Sequence, residues 1–214
     1  MTADMLIEEG KKLIRPCRFL SVQRNGPAAA IWHERNDKEI EGTGFRCWIT
    51  VDARFIPGLP RPIKGFVSLF TDEEDCRSGR IEFVESPTRP GIQLFATEEQ
   101  ILPPLEAVFV YGSDAVGQWL SENDWPRNER YNDNFGDKEV TEAYQREWME
   151  NYPLYRQANE LHAVLGGWHF PCADDDWYDL LDHQLLILTV HDSEPWVEGW
   201  RTSAGEFKVI QRIT

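Results

Sequence analysis

The chain has 214 residues, of which 41% are hydrophobic, and its 37 acidic against 22 basic side chains give a formal net charge of −15. The negative field repels phosphate backbones and anionic lipid headgroups, so nucleic acid and membrane are poor candidate partners. Because β-rich domains of this length commonly form one unit, we expect a single domain over 1–214, with two lobes, 1–112 and 113–214, as the alternative division.

The cysteine pattern and the first residues bear on location. Cys17, Cys47, Cys76 and Cys172 form no CxxC pair, and the chain starts MTADMLIEEGKK. That start lacks the basic segment and apolar run of a signal peptide. The apolar runs are also far shorter than the ~18 residues that a transmembrane helix needs. We therefore expect reduced thiols in a cytoplasmic protein.

The N-terminal part predicts one helix followed by short strands. Residues 2–13, with early acids and late lysines, suit an amphipathic helix and its dipole. Next come β-branched and aromatic runs separated by charged or Gly- and Pro-containing connectors, RNDKE at 35–39 among them. The runs are CRFLSVQ, AAAIWHE, FRCWITVD, GFVSLF and RIEFVE. The simplest topology for them is an antiparallel meander.

Two details refine this predicted sheet. In FRCWITVD the period of two puts Phe45, Cys47, Ile49 and Val51 on one face and Arg46, Trp48, Thr50 and Asp52 on the other. One face should lie in the core and the other should be at least partly wet. The segment 91–112 adds two candidate strands around Leu94 and Val108.

The middle of the chain predicts helices and the end returns to strands. SDAVGQWLSEN has a serine N-cap, and DKEVTEAYQREWMENY places Val140, Tyr144 and Trp148 at i, i+4 spacing. The polar stretch DWPRNERYNDNFG between them is a candidate edge of a binding face. QLLILTVH, EPWVEGWRT and GEFKVIQRI are the last strands. The predicted class is α+β, a largely antiparallel sheet with a few helices in the middle and at the N-terminus.

Histidines and acids in the last quarter offer a candidate metal site. His162, His169 and Asp174 lie around a predicted cleft at 162–176, which would suit a small-ligand or metal-dependent enzyme. Their spacing matches no common ligand pattern, and DDDWYDLLD also suits the first turn of a helix. Since GxSxG, GxGxxG and P-loop motifs are absent, the sequence nominates no catalytic residue and no cofactor.

Tryptophans near loop residues are candidates for partner binding. Trp125, Trp168, Trp177 and Trp196 stand beside glycine, proline or acidic residues, where a partly exposed indole can anchor an interface, although core packing is the alternative. The acidity would speed association with a basic protein, or would serve solubility. We therefore hypothesise an acidic interaction domain that neutralises a basic partner, as an immunity protein does; the sequence leaves oligomeric state open.

Three segments carry a family resemblance. RCWITVDARFIPGLPRPIKGFVSLFTDEED at 46–75, ELHAVLGGWHFP at 160–171 and the tail HQLLILTVHDSEPWVEGWRTSAGEFKV resemble the YwqG-like family of uncharacterised bacterial proteins. The resemblance implies an α+β fold with antiparallel sheet and brings no established catalytic residues. The chain departs from the family pattern at Phe170-Pro171 and Thr202-Ser203, where the family has polar groups.

Overall fold

The computed structural model of the protein describes residues 1–59, 64–74, 78–102, 112–122, 161–168, 183–190 and 196–212, with 108, 140, 142–144 and 146–147. Its strands are β1 Arg15–Ser21, β2 Ala28–Trp32, β3 Phe45–Asp52, β4 Phe66–Asp72, β5 Gly79–Val84, β6 Ile92–Ala96, β7 Gln100–Leu102, β8 Ala163–Gly166, β9 Gln184–Thr189, β10 Trp196–Arg201 and β11 Phe207–Arg212. Its helices are α1 Ala3–Lys11, α2 Asp37–Thr43 and α3 Asp114–Glu122, with a 3-10 turn at Ala53–Phe55.

Local capping explains the first two helices. The Thr2 side chain accepts a hydrogen bond from the backbone N–H of Met5, which caps α1 as the sequence predicts for 2–13. The Asn36 side chain likewise accepts from the N–H of Glu39, and α2 is capped at its C-terminal end by Gly44, whose φ of 74° is the left-handed conformation that glycine adopts readily. The segment RNDKE, predicted as a connector, therefore contains the start of a helix.

The sheet is antiparallel throughout, and ten strands follow the order β11-β10-β9-β8-β1-β6-β2-β3-β4-β5. β1 pairs with β8 along one edge and with β6 and β7 along the other. The predicted simple meander is thus wrong at β1, because β6 lies between β1 and β2. Strands from 1–112 and from 113–214 belong to the same sheet.

The two end strands of this order, β5 and β11, face each other and nearly close the sheet into a barrel. The rings of Phe83 and Phe207 lie 5.0 Å apart. A Cβ added at Gly79 would lie 2.6 Å from Cγ1 of Val209, so glycine permits the close approach there. The fold is therefore sheet-dominated, in keeping with the antiparallel part of the α+β prediction.

Two predictions about individual strands are wrong. β3 carries a register shift between Cys47 and Ile49, and Trp48 packs in the same buried cluster as Ile49 and Val51 instead of on the opposite face. Every residue from Cys47 to Asp52 is buried, so neither face is wet over that stretch. Val108, predicted at the centre of a strand, is helical and packs with the helices.

The buried apolar residues form three clusters. The first fills the sheet interior and includes Leu20, Ile49, Val67, Leu94, Leu165 and Ile187. The second includes Cys17, Phe19, Val164 and Leu188, whose strand positions alternate with those of the first cluster, together with Trp168 and Trp200. The third joins Leu6 of α1 to Val108, Val116, Trp119 and Tyr144. Among the described helices, none is long and apolar enough to cross a membrane.

Candidate functional site

A cavity of about 320 Å³ lies where β2 ends and β3 begins. Its walls come from the connection that contains α2, from the start of β3 and from the segment before β6. Titratable side chains that line it are His33, Glu34, Arg35, Glu39, Arg46, Cys47 and Arg89. We call this cavity the arginine pocket.

His33 is fixed in the wall of the arginine pocket by a buried polar chain. Its Nδ1 lies 3.0 Å from the carbonyl oxygen of Pro90 and its Nε2 lies 2.9 Å from the Thr50 hydroxyl, which is 2.8 Å from the hydroxyl of Ser68. Burial lowers the pKa of His33, with a smaller contribution from the Arg89 charge, so the ring is neutral at pH 7. Since a carbonyl only accepts, Nδ1 holds the proton and Nε2 accepts from Thr50. Both ring nitrogens are therefore engaged.

The two described thiols, Cys47 in the pocket wall and Cys17 in the second cluster, are poor nucleophiles. Burial raises the pKa of Cys47 to about 11. Burial, with the charge of Glu99, raises the pKa of Cys17 to about 12. A thiol must ionise to attack or to bind metal, and neither of these does so at neutral pH. The arrangement of His33 and Cys47 is thus suited to holding the pocket's shape and not to proton transfer or nucleophilic attack.

The three arginines of the pocket differ in their partners. Nε of Arg35 lies 2.7 Å from a carboxylate oxygen of Asp37, and its Nη1 lies 3.1 Å from Glu73; Arg89 forms an ion pair with Glu39. Arg46 instead stacks on Trp48, with its guanidinium carbon 3.4 Å from the ring centre. Within the described residues, Arg46 has no carboxylate at ion-pair distance, and its buried Nε has no hydrogen-bond partner.

The predicted metal site is described only at one of its three residues. His162 is 5% exposed and precedes β8, with its ring 5.7 Å from that of Trp32. His169 and Asp174 lie outside the described residues, as does most of the predicted cleft at 162–176. In the described ranges, no group of three or more His, Cys, Asp or Glu side chains could hold a metal ion. The metal site therefore stays a prediction.

The predicted partner-binding tryptophans are partly described. Trp168 is 3% exposed; its indole N–H donates to the carbonyl of Leu13 at 2.6 Å, and the guanidinium of Arg15 stacks on its ring. Trp196 is half-buried at the start of β10 and packs on the second cluster. Trp125 and Trp177 lie outside the described residues. In this structure Trp168 packs the fold, and the partner-binding role of the four stays a prediction.

Two phenylalanines that the sequence did not single out are exposed. Phe83 of β5 is 44% exposed and Phe207 of β11 is 42% exposed, and they touch where the sheet nearly closes. In sequence both sit in alternating strand patterns that also suit core residues. Only the close approach of the two sheet ends reveals them as a joint surface.

Sequence reasoning also missed the arginine pocket, although one signal for it was present. Strand alternation puts Arg46 and Trp48 on the same face, which is the arrangement that an arginine needs to stack on an indole. The contribution of Arg89 had no such signal, because it comes from a segment more than 40 residues further along the chain.

The chain matches no family model, and searches among curated proteins and among solved structures find no match.

Proposed function

We propose that this protein is an acidic interaction domain that binds a basic protein and neutralises it, in the way that an immunity protein neutralises a toxin. The observation that carries the proposal is the uneven charge: residues 113–214 contain 20 of the 37 acidic but only 8 of the 22 basic side chains. Such an excess of negative charge attracts a basic surface and speeds its association. The proposal includes a cytoplasmic location and membership of the YwqG-like family.

Phe83 and Phe207 supply an apolar contact for such a partner. Aromatic side chains at the centre of an interface commonly contribute most of its binding energy, and charged groups around them set rate and specificity. Glu85 and Glu206, both exposed, are near neighbours of the two rings in sequence. The aromatic pair, together with the net acidity of the chain, favours a partner with an apolar side chain among lysines or arginines.

The chemistry of the arginine pocket supports a binding function over a catalytic one. His33 has both nitrogens engaged, and the Cys47 thiol is protonated at neutral pH. Neither of these two side chains therefore offers a free general base or an activated nucleophile.

The test begins with cross-linking capture of partners, each then purified and mixed with the protein in stopped-flow experiments. We expect a basic partner whose association rate falls by about tenfold or more from low to physiological ionic strength. Phe83→Ser or Phe207→Ser should raise the dissociation rate by about tenfold. Val22→Ser, at another exposed apolar residue, is the matched control and should change neither rate. An association rate that does not respond to salt, or Phe83→Ser binding like the parent, would rule the proposal out.

A further inference from the structure

We infer that the arginine pocket binds a small organic monocarboxylate and that Arg46 holds its carboxylate. This inference concerns a different surface from the proposed partner interface and does not depend on it. The inference follows from the lack of an ion-pair partner for Arg46 among the described residues, from the charges around Arg46 and from the apolar residues that line the arginine pocket.

Arg46 is a half-buried cation with no ion-pair partner among the described residues, and the charges of Glu73 and Asp37 act on it only from beyond ion-pair distance. Burial lowers the pKa of Arg46, so its charged form is poorly solvated, yet the described residues place no carboxylate at ion-pair distance from it. The Trp48 ring covers one face of the guanidinium, which leaves its edge as the route for further hydrogen bonds. A planar carboxylate matches that edge with two parallel N–H to oxygen bonds.

The neighbouring charges select a monoanion. Asp37 and Glu73 already pair with Arg35, and Glu39 already pairs with Arg89, so these two arginines bring little uncompensated charge. Two glutamates, Glu34 and Glu39, line the cavity as well. One free positive charge beside several carboxylates attracts a single negative charge and repels a phosphate dianion.

The rest of the wall suits an apolar group next to the carboxylate. Ile40, Phe45 and Pro90 line the cavity together with the charged residues. A volume of about 320 Å³ is at the small end of the range of about 300 to 1,000 Å³ that is usual for ligand sites. An aromatic or branched aliphatic acid of modest size therefore fits the chemistry and the volume.

Benzoate is the probe, followed by titration of ¹H–¹⁵N NMR spectra of the full chain. We expect benzoate to bind with a Kd of roughly 1 mM, as small fragments do, and to shift signals of residues that line the pocket. Benzamide, which has the same shape without the charge, and inorganic phosphate should each bind at least about tenfold more weakly. Arg46→Met keeps a stem that packs on Trp48 and should weaken benzoate binding by about tenfold or more.

A matched control and a second variant keep the test decisive. Arg24→Met removes another arginine that lies over an aromatic ring, 5.8 Å from Phe95, and should leave benzoate binding unchanged. If Arg46→Met does not fold, Arg46→Lys is the alternative. It keeps the positive charge but cannot form two parallel hydrogen bonds to a carboxylate, so it should weaken benzoate binding severalfold. Benzamide binding as tightly as benzoate, phosphate binding more tightly, no pocket shifts with benzoate, or full affinity in both Arg46 variants would overturn the inference.

Discussion

His33 shows how one buried polar residue joins several parts of the sheet. Its backbone N–H donates to the carbonyl of Trp48, and its ring links Pro90 to Thr50 and, through it, to Ser68. Such groups stabilise a fold only when all of them are paired, since each one left unpaired in the interior carries a desolvation cost. The ring is thus a structural connector between β2, β3, β4 and the segment before β6.

Replacing this ring should destabilise the protein in a pH-dependent way. His33→Phe removes the ring that bonds the Pro90 carbonyl and the Thr50 hydroxyl, which keeps only its bond to Ser68, and we expect it to lower the free energy of unfolding by about 1–3 kcal/mol at pH 7.5. Burial lowers the pKa of His33 below the ordinary value of about 6.5 that it has in the unfolded chain. As pH falls through 6.5, the unfolded chain binds this proton first, so the parent loses stability that the variant does not.

The measurement is urea unfolding of both proteins at pH 7.5 and 5.5. The difference in the free energy of unfolding between the parent and His33→Phe should be smaller at pH 5.5 than at pH 7.5. The charge of Arg89 lowers the pKa of His33, as burial does, and the charge of Glu39 raises it. A difference that stays constant, or grows, at the lower pH would mean that His33 is not held neutral by the fold.

For individual side chains, some contacts could be predicted from the sequence and others could not. Alternation in FRCWITVD correctly placed Arg46 and Trp48 together, because neighbours two apart in a strand share a face. The unpaired state of Arg46 could not be predicted, since it depends on Arg35 and Arg89 taking the nearby carboxylates. Of those ion pairs, Arg35–Glu73 and Arg89–Glu39 join residues that only the folded sheet brings together.

The elements themselves were more predictable than their pairing. β3 has the bounds predicted for FRCWITVD, and α1 and α3 lie within their predicted segments, because capping and periodicity are local. The bulge in β3 and the helical state of Val108 were not predictable in this way. Both depend on burial against distant residues, which overrides local preference.

Closure of the sheet depends on glycine at Gly79. An added Cβ there would lie 2.5 Å from the Phe70 carbonyl oxygen and 2.6 Å from Cγ1 of Val209, so backbone or β11 must move. We expect Gly79→Ala to lower the free energy of unfolding by about 1–3 kcal/mol. Gly42→Ala is the matched control, since a Cβ at this α2 position meets nothing within 4 Å, and it should raise stability by about 0.5–1 kcal/mol. Guanidinium unfolding measures the free energy of unfolding of both variants. Equal changes of the same sign in Gly79→Ala and Gly42→Ala would contradict the close approach of β5 and β11.

The whole molecule is organised by pairings between distant parts of the chain. β1 brings together β6, β7 and β8, and the last strand returns to face β5. A sequence pattern specifies that strands exist and which face is apolar, but the order of strands is decided by how the faces close around one core. The predicted meander was therefore right for β2 to β5, where neighbours in sequence pair, and wrong for β1. Strands β8 to β11, for which no order was predicted, also pair with their neighbours in sequence.

At the same scale, the net charge of −15 should oppose folding through self-repulsion, because the compact state brings the charges closer than the unfolded chain does. Salt screens such repulsion, as the Debye length falls from about 30 Å at 0.01 M to about 8 Å at 0.15 M ionic strength. The surface ion pairs act in the opposite direction, but exposed pairs such as Arg35–Asp37 contribute little. Repulsion among the acidic side chains should therefore outweigh the stabilisation by surface ion pairs.

We accordingly expect the Tm at pH 7.5 to rise by about 2 °C or more between 0.01 M and 0.15 M NaCl. In a domain of this length, a gain of about 1 kcal/mol in the free energy of unfolding raises the Tm by about 2–4 °C. Scanning calorimetry near pH 4.7, the isoelectric point, supplies the control, because with no net charge the salt effect should vanish. A Tm that falls with salt at pH 7.5 would show that ion pairs outweigh repulsion. A rise of equal size at both pH values would show that salt acts on apolar surface instead, and the acidity would then have to be explained by what the protein binds and not by its effect on folding.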